Sequence, residues 1–467
     1  MASPMVAVLT LRPAPSDVTL RPVMRRFGAL LITLSALSPG IGLFIVGSDL
    51  LHQAGTATLL CFVAAVLLGT AMACVYAELG SAFPDTGAEY TICGRVLGPT
   101  PGFSILALVL VGFSLAQALI AQGVVGYLHV LWPTLPALAT SLVMILAVTV
   151  IAVMNIRVNA LVTGIFLAAE LASLVLVAAL GFMHPVRSLL PDLLQPVMAD
   201  GHGGLAGVPL AVIGVAAAGG IYAFNGYGSV VGLGEEMHEA RRGVALVVFG
   251  ALGLATLMEM GPLAAILVGA DHLSQTLADA APVSAFVRER GGAAMANVMS
   301  LAVALAMFNS MIAVALLAGR MVYATGRDRL WPPAVSLALA SIHPRFASPW
   351  IATLLMGAIS LIWCFAPEHV LVLVLGNGNV ALYAALCLAT VVGRRTGSTA
   401  GAGWRMPLFP LAPALALVAL AAIVWADLTD SGTGRLGLAI TGAILVAAAL
   451  IHVVMRKTAR PAAGAAG

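Results

Sequence analysis

The chain has 467 residues, 61% of them hydrophobic and 9% charged, with a net charge of +3 and a mean hydropathy of +1.06. This is too little polar surface to enclose a water-soluble core, so the composition excludes an ordinary soluble protein and predicts an integral membrane protein. The small net charge gives no reason to expect nucleic acid as a partner.

Apolar stretches of about 20 residues, the length that crosses ~30 Å of hydrocarbon, follow one another along nearly the whole chain. We predict twelve transmembrane helices and therefore an all-α integral membrane fold. The predicted spans are 27–50, 56–77, 101–128, 137–154, 158–182, 208–232, 243–268, 293–320, 349–365, 369–392, 408–425 and 436–455.

The basic residues predict the orientation. With twelve spans, 18 of the 22 basic residues fall on one side, and only Arg187, Arg288, Arg290 and Arg435 on the other. Positive residues stay in the cytoplasm, so we predict a multi-pass protein of the cell (inner) membrane with both termini cytoplasmic. The longest external segments, 184–207 and 269–292, are candidates for short helices over the outer mouth.

Glycine-rich breaks interrupt two of these spans: SPGIGLF at 38–44 and YAFNGYGS at 222–229. A helix broken inside the membrane exposes backbone groups that hydrocarbon cannot satisfy, so they must face a cavity, a solute or an ion. The breaks occupy similar places in spans one and six. Because the second break lies five spans after the first, the two halves have opposite orientations. This pattern predicts a solute transporter with two inverted halves.

Three motifs carry a resemblance to a known family. They are SPGIGLFIVGS with the following YAELGSAFPDTGAEY and GPTPGF, then FNGYGSVVGLGEE, and then AGRMVYATGRDRLWPP. Together they resemble the amino acid, polyamine and organocation permease superfamily over residues 27–392. The resemblance implies an inverted 5+5 repeat of the LeuT type with helices 1 and 6 unwound at mid-membrane. It also implies alternating access, coupled to protons or to exchange.

This organisation gives four expected regions: a cytoplasmic tail at 1–26, a ten-helix transport core at 27–392, peripheral helices 11 and 12 at 393–455, and a second cytoplasmic tail at 456–467. No separate soluble domain is expected.

The first break carries the first set of candidate site residues. The resemblance aligns Gly40, Ile41 and Gly42 with a glycine, small hydroxyl residue, glycine motif that usually holds a substrate carboxylate. Ile41 removes the hydroxyl, which leaves backbone amides and the Ser38 side chain. Close helix packing is the alternative explanation of two nearby glycines.

The second break adds an aromatic set. Aromatic rings close over small solutes and attract ammonium groups, and Phe224 resembles the family's gating aromatic. Packing between helices is the alternative for the tyrosines. Asn309, with Ser310, is expected beside span one, or else serves as an interhelical hydrogen bond. The candidates near this break are Tyr222, Phe224, Asn225, Gly226 and Tyr227.

Two acids lie within spans, where an unpaired charge costs several kcal/mol. Glu170 occupies a position that is lysine in many members of the family, beside the first break. A carboxyl group there is expected to load and release protons or to bind an ammonium group, unless it is protonated and merely bonded to a neighbouring helix. Glu259 is a possible second intramembrane acid.

Charged residues also collect at the predicted cytoplasmic ends of the spans, where a network of ion pairs would latch an inner gate. Each pair taken alone is the alternative, a solvated contact of little energy. The residues are Tyr76, Glu78, Asp85, Glu89, Glu235, Glu236, Arg320, Arg327 and Asp328.

The sequence therefore predicts a secondary active transporter of amino acids or biogenic amines and polyamines, with a mild preference for a cationic substrate. The alternatives are a nontransporting sensor on the same fold and, less favoured, a channel or a membrane enzyme. The five cysteines show no metal or disulfide spacing, and we expect no cofactor and no metal. Protons are the expected coupling ion, and sodium is not supported.

Overall fold

A computed structural model describes residues 22–154, 156–221, 223–429 and 434–458. Helices make up most of this part of the chain. The helices are α1 (Arg26–Leu37), α2 (Pro39–Ile41), α3 (Ser48–Ala54), α4 (Thr58–Ala82), α5 (Ala88–Val96), α6 (Pro99–Leu131), α7 (Ala137–Val153), α8 (Ile156–Phe182), α9 (Leu189–Leu194), α10 (Leu210–Gly220), α11 (Ala240–Gly269), α12 (Leu273–Ala278), α13 (Pro282–Arg327), α14 (Pro333–Leu339), α15 (Trp350–Trp363), α16 (Glu368–Thr396), α17 (Leu411–Thr429) and α18 (Gly434–Thr458).

Eight helical stretches within the described residues are long and apolar enough to cross a membrane. One of them, Arg26–Ala82, covers two predicted spans, and α7 and α15 are shorter apolar helices. The sixth predicted span is divided between α10 and a 3₁₀-helix at Tyr227–Glu236. Each predicted span thus overlaps a helix in the described part of the chain, while the number of crossings, twelve, stays a prediction.

The backbone is interrupted at the first predicted break. Helix α1 ends because Ser38 has a left-handed conformation, with φ of 53°, and because Pro39 follows it. The Ser38 amide closes α1 by donating to the Leu34 carbonyl, 2.7 Å away. The chain then continues through α2 into a π-helix at Gly42–Gly47, a conformation that is rare and frequent at functional sites.

The second break lies between α10 and the 3₁₀-helix, and it contacts the first. Gly226 has φ of 126°, where side chains other than glycine are strained. A Cβ atom on Gly226 would lie 2.8 Å from the Leu37 Cα atom, so the backbone of the second break packs directly on the end of α1.

Helix α1 packs among several other helices. It contacts α8, α11 and α13, which carry the two intramembrane acids and Asn309. Helices α17 and α18 pack against α16 and, respectively, against α4 and α6.

The segment 184–207 differs from the expectation of short helices. It contains α9, but then forms an antiparallel hairpin of β1 (Val197–Ala199) and β2 (Leu205–Gly207). Helix is excluded there because Gly201 and Gly203 have positive φ and turn the chain. In 269–292, α12 forms and α13 begins at Pro282, with a kink at Gly292.

The contact between the breaks leads to a stability prediction. We expect Gly226→Ala to lower the free energy of unfolding by about 1–3 kcal/mol, since alanine is strained at this φ and its Cβ meets Leu37. Thermal unfolding of the purified protein in detergent measures the loss. Gly253→Ala in α11 is the matched control, because open space surrounds that glycine. Equal melting temperatures for the two variants would contradict the contact.

Candidate functional site

The carboxyl group of Glu170 lies at the first break. Its Oε1 atom accepts hydrogen bonds from the Ser38 hydroxyl, at 2.8 Å, and from the Gly40 backbone amide, at 2.7 Å. The side chain is fully buried, and its second oxygen, Oε2, has no hydrogen-bond partner among the described residues. An acid of α8 thus satisfies two donors that the broken helix exposes.

Glu259 of α11 approaches the same break from another helix. A Cβ atom on Gly42 would overlap the Glu259 carboxyl group, and one on Gly40 would lie 3.0 Å from Glu170 Oε1. Glu259 is fully buried, and neither of its oxygens has a hydrogen-bond partner in the described part of the chain. The two glycines therefore provide room for two carboxyl groups, and Ile41 between them is half-buried.

The aromatic residues of the second break pack within the protein. Phe224 is 1% exposed and meets the Phe62 ring edge-on, with centroids 5.5 Å apart. Tyr227 meets Tyr76 in the same way at 6.0 Å. This packing fits the interhelical alternative for Tyr227, and Phe224 packs on Phe62. Tyr222 lies outside the described residues.

Asn225 and Gly226 line a cavity of about 210 Å³ between the second break, α6 and α16. The Tyr383 hydroxyl donates to Asn225 Oδ1 at 3.0 Å, which fixes the amide at the cavity wall. A neighbouring cavity of about 210 Å³ shares Asn225, Asn379 and Tyr383 with it.

The wall of the cavity that contains Gly226 includes residues that the sequence does not predict as site residues, among them Tyr76, Glu89 and Tyr383. The sequence predicts Tyr76 and Glu89 at the cytoplasmic ends of the spans. Glu89 reaches the cavity because α5 packs against α6 and α16. Among the described residues that line the cavity, Glu89 is the only acid and none is basic.

Asn309 connects α13 to the first break. It is fully buried, and its Nδ2 atom donates to the Ser35 hydroxyl at 2.9 Å. Ser310 approaches the Ala36 carbonyl at 3.5 Å. These bonds fit the interhelical alternative.

A network of ion pairs joins the loop after α4, the 3₁₀-helix and the end of α13. Arg327 pairs with Glu235, with Asp85 at 3.0 Å and with Asp328 at 3.1 Å. Arg95 also pairs with Asp85, at 2.6 Å. The predicted cluster thus connects four separate segments.

Two further pairs hold buried acids. Arg320 pairs with Glu236 through two hydrogen bonds, and both side chains are less than 5% exposed. Arg394 of α16 holds Glu78 of α4 with two bonds of 2.6 Å. Removing the arginine from such a pair is costly, because it leaves a buried carboxylate without a cation.

No group of three or more metal-ligating side chains occurs within the described ranges.

Apolar helices, two breaks and buried acids at the first break define a class of protein, a multi-pass membrane transporter. The amino acid permease family model matches residues 25–458. The chain is 24% identical over 417 residues to the branched-chain amino acid permease BcaP of Bacillus subtilis (strain 168), covering 84% of this chain and 86% of that protein. It is 24% identical over 395 residues to the methylthioribose transporter of the same organism, covering 80% and 82%. The Asc-type amino acid transporter 1 of Mus musculus is 25% identical over 409 residues, covering 83% and 72%.

The chain belongs to the amino acid permease family, within the amino acid, polyamine and organocation superfamily. The resemblance found in the sequence is therefore confirmed. Membership places the chain among transporters rather than enzymes.

The depth of the ion pairs decides how much each stabilises the fold. We expect Arg320→Ala to lower the free energy of unfolding by about 3–5 kcal/mol, because it leaves Glu236 buried without its cation. Arg26→Ala is the control, since the Arg26–Glu239 pair is exposed and worth about 0–1 kcal/mol. Thermal unfolding compares them, and an Arg320 loss as small as that of Arg26 would refute the buried pair.

Asp85 leads to a pH prediction. Burial opposes its ionisation, but Arg327, the Gly87 amide and Arg95 outweigh burial and lower the pKa of Asp85 below its ordinary 3.8. An acid with a lowered folded-state pKa stabilises the fold above its unfolded pKa, and the stabilisation is lost as pH falls through the folded value. Wild type should therefore melt above Asp85→Asn at neutral pH, and the gap should close at pH values below 3.8.

Melting temperatures across a pH series measure this gap. Asp49→Asn, at an exposed aspartate of α3, is the control and should show little gap at any pH. A gap for Asp85→Asn that does not change with pH would contradict the assignment.

Proposed function

We propose that this protein is a secondary active transporter of small amino compounds, working by alternating access and driven by proton coupling or by exchange. The proposal includes twelve spans in the cell membrane with both termini in the cytoplasm. The names of two relatives, a branched-chain amino acid permease and an Asc-type amino acid transporter, support an amino compound as substrate.

The observation that carries the proposal is the placement of Glu170. Its carboxyl group holds the first break through Ser38 and Gly40, while Oε2 has no hydrogen-bond partner among the described residues. Protonation of Glu170 would weaken its attraction for those donors, because a hydrogen bond to an ionised acceptor is about twice as strong as a neutral one. Loading and release of a proton would thus loosen and tighten the break.

Glu259 would strengthen this response. The two carboxyl groups would repel each other if both were ionised, so the state in which both carry a charge is disfavoured. Protonation of the pair removes the repulsion around Gly42. We therefore propose that the pair couples proton movement to the conformation of the break.

The ion pairs of Arg327 and Arg320 fit the inner gate of such a cycle. They join α13 to the 3₁₀-helix that follows the second break, so opening on this side requires them to separate. The Arg327 side chain is 21% exposed, so water can compete with its ion pairs.

Glu170 gives the test. Glutamine keeps the shape and accepts hydrogen bonds, but cannot exchange a proton near neutral pH, so Glu170→Gln should make substrate uptake independent of pH. Uptake of labelled leucine and of labelled cadaverine into proteoliposomes, at a series of pH values, measures this.

Ser38→Ala is the matched control, since it removes one donor to Glu170 and leaves the titratable group in place. It should lower the rate but keep the pH dependence. Unchanged pH dependence in Glu170→Gln would sink the coupling role, and binding without uptake in wild type would indicate a sensor.

A further inference from the structure

Four donors of the first break are already occupied by the protein itself. The Ser38 hydroxyl and the Gly40 amide donate to Glu170, the Ser38 amide to Leu34, and the Gly42 amide to Ser38. Pro39 has no amide hydrogen. Glu170 therefore stands where a carboxylate from a substrate would compete for the same donors.

The cavity of about 210 Å³ at the second break favours a cation rather than a carboxylate. Glu89 lines it, is 8% exposed, and accepts a hydrogen bond from the Tyr76 hydroxyl at 3.3 Å. No ion pair to Glu89 occurs among the described residues. Burial raises the pKa of Glu89, although its own backbone amide and Tyr76 oppose this. A cation entering the cavity would compensate the buried carboxylate.

The rest of the wall is neutral. Asn225, Ser229 and Asn379 supply polar atoms, and Tyr76 and Tyr383 supply rings, which attract cations. An ammonium group is thus favoured by Glu89 and by the rings. A carboxylate would find no cationic side chain in this wall and would be repelled by Glu89.

We propose that this cavity binds an organic amine without a carboxylate, that Glu89 is its counter-ion, and that Glu170 closes the first break to substrate carboxylates. The inference rests on the proposed function and names the substrate class of the transporter.

A purely structural role for Glu89 is the rival explanation, because acids in the first turn of a helix stabilise it by about 0.3–1 kcal/mol. Glu89 lies in the first turn of α5. Glu368 lies in the first turn of α16 but is exposed and does not line the cavity. Glu368→Gln is therefore the matched control for Glu89→Gln.

The first experiment uses the wild-type chain alone. Amines and the amino acids that share their side chains are compared as ligands in a thermal-shift assay: isoamylamine against leucine, and cadaverine against lysine. A ligand that binds the folded state raises the melting temperature. The proposal expects a shift for the amines and little or none for the amino acids. A shift only for the amino acids overturns it.

The second experiment tests Glu89. Glu89→Gln should weaken amine binding at least about tenfold, because the ammonium loses a buried partner, whereas Glu89→Asp should keep part of it and Glu368→Gln all of it. Equal amine affinity in Glu89→Gln and wild type overturns the counter-ion role. Because the wild-type comparison needs no variant, the proposal stays testable if Glu89→Gln fails to fold.

Uptake into proteoliposomes separates this inference from the proposed function. Transport of leucine or lysine but not of the amines rejects the substrate class and leaves the transporter proposal standing. Binding of the amines with no uptake of any of the four compounds rejects the transporter proposal and leaves the Glu89 site.

Discussion

A broken helix in hydrocarbon must find partners for the backbone groups that it frees, and the rest of the structure depends on how this is done. Here the partner is a side chain of the same protein: Glu170 accepts from Ser38 and Gly40. Helix α8 is consequently fixed against the break. Helices α11 and α13, which also contact α1, pack around the same point. The geometry of the interior is therefore set by a carboxyl group rather than by apolar packing alone.

Two carboxyl groups in this position carry a cost. Glu170 and Glu259 are fully buried, and neither forms an ion pair within the described ranges. An ionised carboxylate without a cation is costly in such an environment, so a proton or a visiting cation is the compensation available. Gly40 and Gly42 are needed here for space, because any larger side chain would meet the carboxyl groups.

Both breaks could be predicted from the local sequence, whereas the place of Glu170 beside the first break was implied by the family resemblance. The groups that fill the space beside Gly40 and Gly42 could not be predicted. Gly40 and Gly42 indicated amides that face a substrate, but Glu170 and Glu259 fill that space, and this depends on how α8 and α11 are rotated about their axes. Glu89 was assigned to a cytoplasmic end because it lies between two spans. The sequence signal for the burial of Glu89 is the uncharged run Tyr90–Cys93 that follows it. In the structure these four residues are buried together with Glu89.

The 3₁₀-helix Tyr227–Glu236 links the cavity to the ion pairs. Its first turn contains Gly228 and Ser229 of the cavity wall, and its last residues, Glu235 and Glu236, pair with Arg327 and Arg320. Helix α13 repeats the link, since Leu317 lines the cavity one turn before Arg320. A solute that displaces the cavity wall therefore moves elements that end in the ion pairs. Because the attraction within an ion pair falls as its two charges separate, a displacement of either element weakens these pairs. The fold thus places the cavity and the ion pairs at opposite ends of the 3₁₀-helix, which is the connection that the proposed alternating access requires.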